Sequence, residues 1–125
     1  AHSQILDVLS AAKQIEGITY CVAHLQNVPV SILKDMVSEL KHKLESGIVV
    51  LAANEAEKAQ IVVGVTDDLS ARFKANELIQ VVAAGVNGRG GGRADMAQAS
   101  GTEIAKIAEA LALVAPWIVQ KNKNI

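Results

Sequence analysis

The chain has 125 residues, of which half are hydrophobic and only three are aromatic, and its formal net charge is −1. This length and hydrophobic content are typical of one domain with a buried core, and they exclude intrinsic disorder. The near-neutral charge excludes a strongly basic DNA-binding domain. The single cysteine excludes an intramolecular disulfide. No apolar run approaches the roughly 20 residues that span a bilayer.

The first residues, Ala1, His2 and Ser3, include neither an initiator Met nor the charged and apolar regions of a signal peptide. We therefore expect a fragment of a longer protein. A lone cysteine favours a reducing compartment, so we expect that protein to be cytoplasmic, with neither a membrane nor DNA as its partner.

The first predicted element is a helix over residues 4 to about 16, closed by Gly17 as a C-terminal cap. Its apolar positions recur at helical spacing: they are Ile5, Val8, Leu9, Ala12 and Ile15. Two interpretations stay open, namely the tail of a longer linker helix and a first helix packed on the core. We divide the chain accordingly into residues 1–16, the end of a linker helix, and residues 17–125, a globular domain.

The rest of the chain predicts strands and helices packed on one another. Apolar and β-branched runs predict strands at residues 18–25, 48–53 and 60–65, with a hairpin turn between the last two. Amphipathic spacing predicts helices from Pro29 to residue 44, over residues 69–84, and after Glu103, where Pro116 should kink or end the helix. A short strand at residues 95–99 completes the order α-β-α-β-β-α-β-α. The predicted fold is α/β in the α+β sense, a mixed sheet with packed helices.

The residues that could support catalysis or bind a metal form no recognisable site. Cys21 and His24 are three residues apart in a predicted buried strand, so their side chains point to opposite faces and Cys21 is better explained as a core residue. The histidines show no metal-ligand spacing. Asp67 and Asp68 precede a predicted helix and are expected to cap it. We therefore expect no enzyme activity and no cofactor in this chain by itself.

A glycine-arginine segment, residues 85–93, holds most of the remaining chemistry. Glycines allow backbone N–H groups to approach a ligand and to form an anion-binding nest, while Arg89 and Arg93 can bind phosphate or stack on a base. The segment lacks the Gly-Lys-Ser/Thr of a phosphate-binding loop, and it leads into a predicted strand, unlike a Rossmann fingerprint. A nucleic-acid-binding loop and a flexible connection between helix and strand both remain open from the pattern alone.

The continuation of that segment resembles the motif of the C-terminal, DHHA1-type domain of alanyl-tRNA synthetases. Residues 90–101 read Gly-Gly-Gly-Arg-Ala-Asp-Met-Ala-Gln-Ala-Ser-Gly. The resemblance extends to residues 64–69 and 74–79 and, further upstream, to residues 46–51 and 11–15, so it covers nearly the whole chain in the expected order. Related DHHA1 domains also occur on phosphoesterases, but the Ala-Asp-Met-Ala-Gln-Ala continuation favours the synthetase.

The resemblance implies a DHHA1-like fold preceded by a helix from a linker, and it implies particular site residues. Those expected to bind RNA are Lys74, Gly88, Arg89, Gly90, Gly91, Gly92 and Arg93. Those expected to support the loop are Asn87, Asp95 and Gln98. The family usually has glycine at position 87 and lysine at position 89, and Ser100 replaces the glycine usual near the end of the motif.

The resemblance also implies a function within a larger enzyme, an alanine–tRNA ligase. Such a domain binds the tRNA elbow and helps aminoacylation and editing of tRNA-Ala, while catalytic and editing domains upstream hold the ATP, magnesium and zinc sites. The alternative is a dimerisation or protein-interaction domain of the same enzyme, in which an apolar first helix pairs with a second copy.

Overall fold

The fold is a six-stranded mixed sheet with helices on both faces, seen in a computed structural model that describes residues 2–123; residues 1, 124 and 125 of the predicted domains lie outside it. The strands are β1 Lys13–Ile15, β2 Ile18–Gln26, β3 Ile48–Glu55, β4 Lys58–Val65, β5 Gly88–Gly92 and β6 Met96–Gly101. The helices are α1 His2–Ser10, α2 Val30–Leu44, α3 Ala75–Gly85, α4 Ile107–Leu111 and α5 Val114–Lys123, and a single 3-10 turn, Ile104–Lys106, precedes α4.

The strands lie in the order β1-β2-β3-β4-β6-β5. Only β2 and β3 are parallel, and α2 is the crossover that joins them; every other neighbouring pair is antiparallel. A parallel pair needs such a long connection, whereas antiparallel neighbours can be joined by short turns. The sheet therefore has β1 at one edge and β5 at the other.

The central strands β3 and β4 are buried on both faces, which explains why their sequences are nearly continuous apolar runs. Successive side chains of a strand point to opposite faces. Val49 and Leu51 pack towards α2 and α1, whereas Ile48 and Val50 pack towards α3, α4 and α5. The sheet thus separates two apolar cores.

Each helix buries one stripe of apolar side chains against the sheet. The buried stripe of α2 consists of Leu33, Met36, Val37 and Leu40. On the opposite face, Phe73 lies in the core beneath α3 and meets the ring of Trp117 from α5 edge to face, with ring centroids 6.1 Å apart. The expected α+β class, a mixed sheet with packed helices, is confirmed. Within residues 2–123 no helix is long and apolar enough to cross a membrane.

The first predicted helix is wrong over its second half. Helix α1 ends at Ser10, and residues 13–15 form β1, which turns back through Glu16 and Gly17 to pair with β2. These two residues have φ angles of 54° and 80°, as a two-residue hairpin turn requires, so Gly17 closes a hairpin rather than a helix. Ile5 and Val8 are buried, which agrees with a first helix packed on the core. The division of the chain at residue 16 stays a prediction.

The predicted helix over residues 69–84 and the predicted last helix also have boundaries that differ from the prediction. Residues 67–73 form turns, and α3 begins only at Ala75 because Lys74 is extended, with φ −74° and ψ 126°. The last helix breaks between Leu111 and Val114 rather than at Pro116. Pro116 is the third residue of α5, where the first turn has N–H groups without a partner in the helix, so its missing donor breaks no hydrogen bond.

Candidate nucleic-acid interface

The predicted glycine loop is instead an edge strand. Gly88–Gly92 forms β5, which pairs with β6 so that Arg89 lies opposite Ser100 and Gly91 lies opposite Gln98. The loop conformation that both interpretations gave these five residues is therefore wrong, whereas their role in binding stays a prediction; only residues 93–95 form the turn between the two strands. Glycine has a low intrinsic preference for strands, which is why local sequence did not indicate one here.

Alternate glycines of β5 lie too close to β6 to carry a side chain. A Cβ atom at Gly90 would lie 2.1 Å from the carbonyl oxygen of Gln98, and one at Gly92 would lie 2.5 Å from that of Met96. Real Cβ atoms essentially never come this near to backbone oxygen. At Gly91, by contrast, the nearest atom to a Cβ would be the Gln80 Nε2 atom, 4.0 Å away. Gly90 and Gly92 therefore have no room for a side chain next to β6. Because Gly91 is also a glycine, the exposed part of the strand is bare backbone.

Two polar side chains support β5, one at its middle residue and one just before its first residue. Gln80 of α3 donates a hydrogen bond of 2.6 Å from Nε2 to the carbonyl oxygen of Gly90. Asn87, just before β5, has a φ of 54° and its Nδ2 atom donates to Thr102 Oγ1 at 3.2 Å. Asparagine tolerates this left-handed conformation better than most residues. The support of β5 thus comes from Gln80 as well as from the predicted Asn87.

Three elements hold the turn at residues 93–95. The carbonyl oxygen of Ala94 accepts a hydrogen bond of 2.8 Å from the N–H of Ala75, the first residue of α3. The carbonyl oxygen of Asp95 accepts one of 3.0 Å from the N–H of Val65 and one of 3.0 Å from Lys41 Nζ of α2. The turn is therefore fixed relative to α2, α3 and β4.

Basic side chains gather around this turn. Arg93 is 78% exposed, and its Nε atom lies 3.3 Å from Asp95 Oδ1. Lys74 is exposed and lies beside the turn through the bond between Ala75 and Ala94. Because a strand rises about 3.3 Å per residue, the exposed Arg89 lies roughly 13 Å from Arg93 along β5. These positions suit contacts with two separate phosphates.

A shallow groove on the α2 side adds one more cation. Its volume is about 310 Å³, and Lys34 faces the end of β5 across it. The residues that line it are Lys34, Gly91, Gly92, Arg93, Met96, Ala97 and Gln98. Of these, the predicted Gln98 is exposed on β6, opposite Gly91.

The structure thus brings the predicted site residues to one hairpin: they lie on β5, on the turn, on β6 or beside the turn, and Asn87 lies just before β5, at the end away from the turn. Sequence reasoning missed Lys34 and Lys41, which α2 supplies from more than 50 positions upstream of the turn. Their helical spacing of seven residues places both on one face of α2, but nothing in the local pattern points to the hairpin. We call Lys34, Lys74, Arg89 and Arg93, with the backbone of β5, the hairpin surface.

The remaining candidate residues have structural roles or none. Cys21 is buried, and this burial raises the pKa of its thiol; its side chain packs in the core under α2, whereas His24 lines a groove on the other face. Asp68 does not cap a helix as expected, because it accepts hydrogen bonds from the Ser46 and Thr66 hydroxyls, which lower its pKa. Within residues 2–123 no three His, Cys, Asp or Glu residues cluster in a way that could hold a metal ion.

Comparison with known proteins gives results that agree in sequence and in structure. A family model described as the DHHA1 domain matches residues 17–120. Alanine–tRNA ligases of Shewanella amazonensis and Psychromonas ingrahamii are 45% and 42% identical, each over 92% of this chain. The chain spans only 13% of the length of either relative. The crystal structure of the C-Ala domain from Aquifex aeolicus alanyl-tRNA synthetase superposes with a TM-score of 0.80 at 28% identity, covering 84% of this chain and 95% of that one.

Proposed function

The chain belongs to the DHHA1 domain family, and from this premise we propose that it is the tRNA-binding C-terminal domain of an alanine–tRNA ligase. The similarity to two such ligases over 92% of the chain supports the choice of enzyme. The gathering of basic side chains around exposed glycine backbone at the hairpin surface is the observation that supports RNA as the ligand. We further propose that the domain acts in the cytoplasm, together with upstream catalytic and editing domains that bind ATP, magnesium and zinc.

The geometry favours phosphate contacts at two ends of one strand. Arg89 and Arg93 each offer a planar guanidinium that can bind a phosphate through two hydrogen bonds. Lys34 and Lys74 lie on the α2 and α3 sides of the hairpin and add point charges. The bare edge of β5 between them lets a sugar-phosphate backbone approach, because Gly91 is exposed and carries no side chain.

A surface of this kind suits the elbow of tRNA. Four cations neutralise only a few phosphates, so the binding should be weak for the isolated domain, on the order of micromolar, and should depend only modestly on salt. Sequence-specific readers of RNA need unpaired bases, whereas shape and backbone recognition needs only a complementary surface. We therefore assign to this domain a supporting contact with tRNA-Ala that helps aminoacylation and editing. Tethering to the other domains would raise its effective concentration on the same tRNA.

Titration of the domain into fluorescently labelled tRNA tests this proposal. We expect salt-sensitive binding that the Arg89→Ala/Arg93→Ala double variant weakens about tenfold or more. The matched control is Lys13→Glu, a single substitution that lowers the net charge by the same amount. Lys13 is exposed and lies on β1, the edge strand opposite β5. Equal losses for the two variants would contradict a site at the hairpin surface, and no binding by the wild type would contradict RNA binding itself.

A second candidate, dimerisation without strong RNA binding, is favoured by one observation. Leu6 on α1 is 47% exposed, although Ile5 and Val8 beside it are buried. An exposed leucine on a packed helix could pair with a second copy of the chain. Sedimentation velocity at two concentrations separates the two functions, because a tight dimer that tRNA does not disturb would support the second. Leu6→Lys should then give a monomer.

A further inference from the structure

Lys41 reaches the hairpin by passing over the one residue of β4 that has no side chain. Its own side chain is only 17% exposed. A Cβ atom at Gly64 would lie 2.7 Å from Lys41 Cδ and 3.3 Å from its Cγ, so the aliphatic stem occupies the space that a side chain at Gly64 would fill. The Nζ atom emerges at the turn and donates a hydrogen bond of 3.0 Å to the carbonyl oxygen of Asp95.

The carboxylate of Asp95 lies between two cations. Its Oδ1 atom is 3.3 Å from Arg93 Nε, and its Oδ2 atom is 4.0 Å from Lys41 Nζ. The Arg93 side is exposed to water and is therefore strongly screened, whereas the Lys41 side is mostly buried and is screened less. Without Lys41 the carboxylate would be left with Arg93 alone. The summed charge of Lys41, Arg93 and Asp95 is +1, and without Lys41 the charge of the remaining pair would be zero.

We propose that Lys41 is a positioning residue of the hairpin surface: it holds Asp95 in place and offsets its charge, so that Arg93 stays available for phosphate. This inference rests on the proposed function. Lys41 acts through Asp95 and not by touching RNA, because its side chain is mostly buried and its Nζ atom is already bonded to the turn. Without Lys41, the charge of Arg93 would be cancelled by Asp95 alone, so an approaching phosphate would meet a neutral pair, which weakens the contact.

The surroundings of Lys41 do not supply a substitute. The wider cleft beside it, of about 830 Å³, is lined by basic and acidic side chains; the residues are Lys41, His42, Lys43, Glu45, Asp67, Asp68 and Asp95, together with Ser38 and Thr66. Of the described cations along this cleft, Lys41 is the one whose Nζ atom is bonded to the backbone of the turn. The effect is therefore specific to the pair of Lys41 and Asp95.

The test is a set of variants in the tRNA titration. Lys41→Met keeps the buried stem and removes the charge, and we expect it to bind tRNA about threefold to fivefold more weakly. Lys13→Met, which changes the net charge equally on the opposite edge strand β1, should bind as the wild type does. Asp95→Asn removes the carboxylate that Lys41 offsets, so Lys41→Met/Asp95→Asn should regain most of the lost affinity. A purely structural role for Lys41 predicts no such rescue.

A second readout does not depend on RNA. If Lys41 competes for Asp95, then in Lys41→Met the Arg93 Nε–H group should bond more fully to the carboxylate, and its NMR signal should shift and exchange more slowly with water. An unchanged signal together with unchanged tRNA affinity would overturn the inference. Failure of the wild type to bind tRNA would instead overturn the proposed function, while the Arg93 signal would still decide whether Lys41 controls the pair.

Discussion

At Gly90, a side chain would meet the backbone of the neighbouring strand. An alanine there would place its Cβ atom 2.1 Å from the Gln98 carbonyl oxygen, so β5 would have to move away from β6. We expect Gly90→Ala to lower the free energy of unfolding by about 1–3 kcal/mol, as overpacking does elsewhere. Urea denaturation measures this change.

Gly91→Ala is the matched control for that substitution. Its Cβ atom would meet nothing nearer than 4.0 Å. It should therefore change the free energy of unfolding by no more than about 0.5 kcal/mol, as exposed substitutions usually do. Equal destabilisation by the two variants would contradict the account of alternate close packing in β5.

Asp68 makes the stability of the domain depend on pH. Hydrogen bonds from the Ser46 and Thr66 hydroxyls lower its folded-state pKa from the ordinary value of 3.8. A group with a lowered folded pKa stabilises the protein above its unfolded pKa, and this contribution is lost as the pH falls through the folded pKa. We therefore expect Asp68→Asn to be less stable than the wild type at neutral pH, and its midpoint of thermal unfolding to fall less between pH 6 and pH 3. Parallel curves for the two proteins would contradict this role.

At the scale of elements, the closeness of α2 to the sheet depends on Gly64. A Cβ atom there would lie 2.3 Å from Val37 Cγ1, in addition to its clash with the Lys41 stem. We expect Gly64→Ala to destabilise the domain by about 1–3 kcal/mol. Adding Val37→Ala, which removes the nearest atom, should make the double variant more stable than the sum of the two single changes predicts. Additive losses, measured by urea denaturation, would argue against direct contact.

The elements that the sequence predicted well are those whose local pattern and tertiary environment agree. Strands β2, β3 and β4 are apolar and β-branched because they are buried, and both properties are visible in the sequence. Strand β5 was missed because five residues of glycine and arginine show neither strand preference nor an apolar face. Strand β1 was missed because Ile15 also fits helical spacing, and a three-residue strand is too short to show alternation.

The candidate site was predictable only in part, because the local sequence shows only those of its residues that are close together along the chain. Arg89, Arg93 and their glycines lie in one continuous segment, which a reader of the sequence can notice. Lys34 and Lys41 join them only because α2 crosses the sheet from β2 to β3 and passes the end of β4. No local signal records a contact between residues so far apart along the chain.

At the scale of the whole molecule, 12 basic and 13 acidic residues nearly cancel, so any attraction to RNA must be local. A few phosphate contacts position an RNA without reading its sequence. We therefore expect the isolated domain to bind tRNA-Ala and other elongator tRNAs with affinities that agree within about threefold. Competition titrations with unlabelled tRNAs measure this ratio. A strong preference for tRNA-Ala would contradict recognition by backbone and shape.

The most direct test of tRNA binding at the hairpin surface is an NMR titration of the ¹⁵N-labelled domain with tRNA. We predict that amide signals of Gly88–Gly92 and Arg93 shift first and furthest, with smaller changes at Lys34 and Lys74, while those of Lys13 and Gln14 on β1 stay in place. Changes centred on the opposite edge of the sheet, or no changes at high micromolar tRNA, would contradict the assignment.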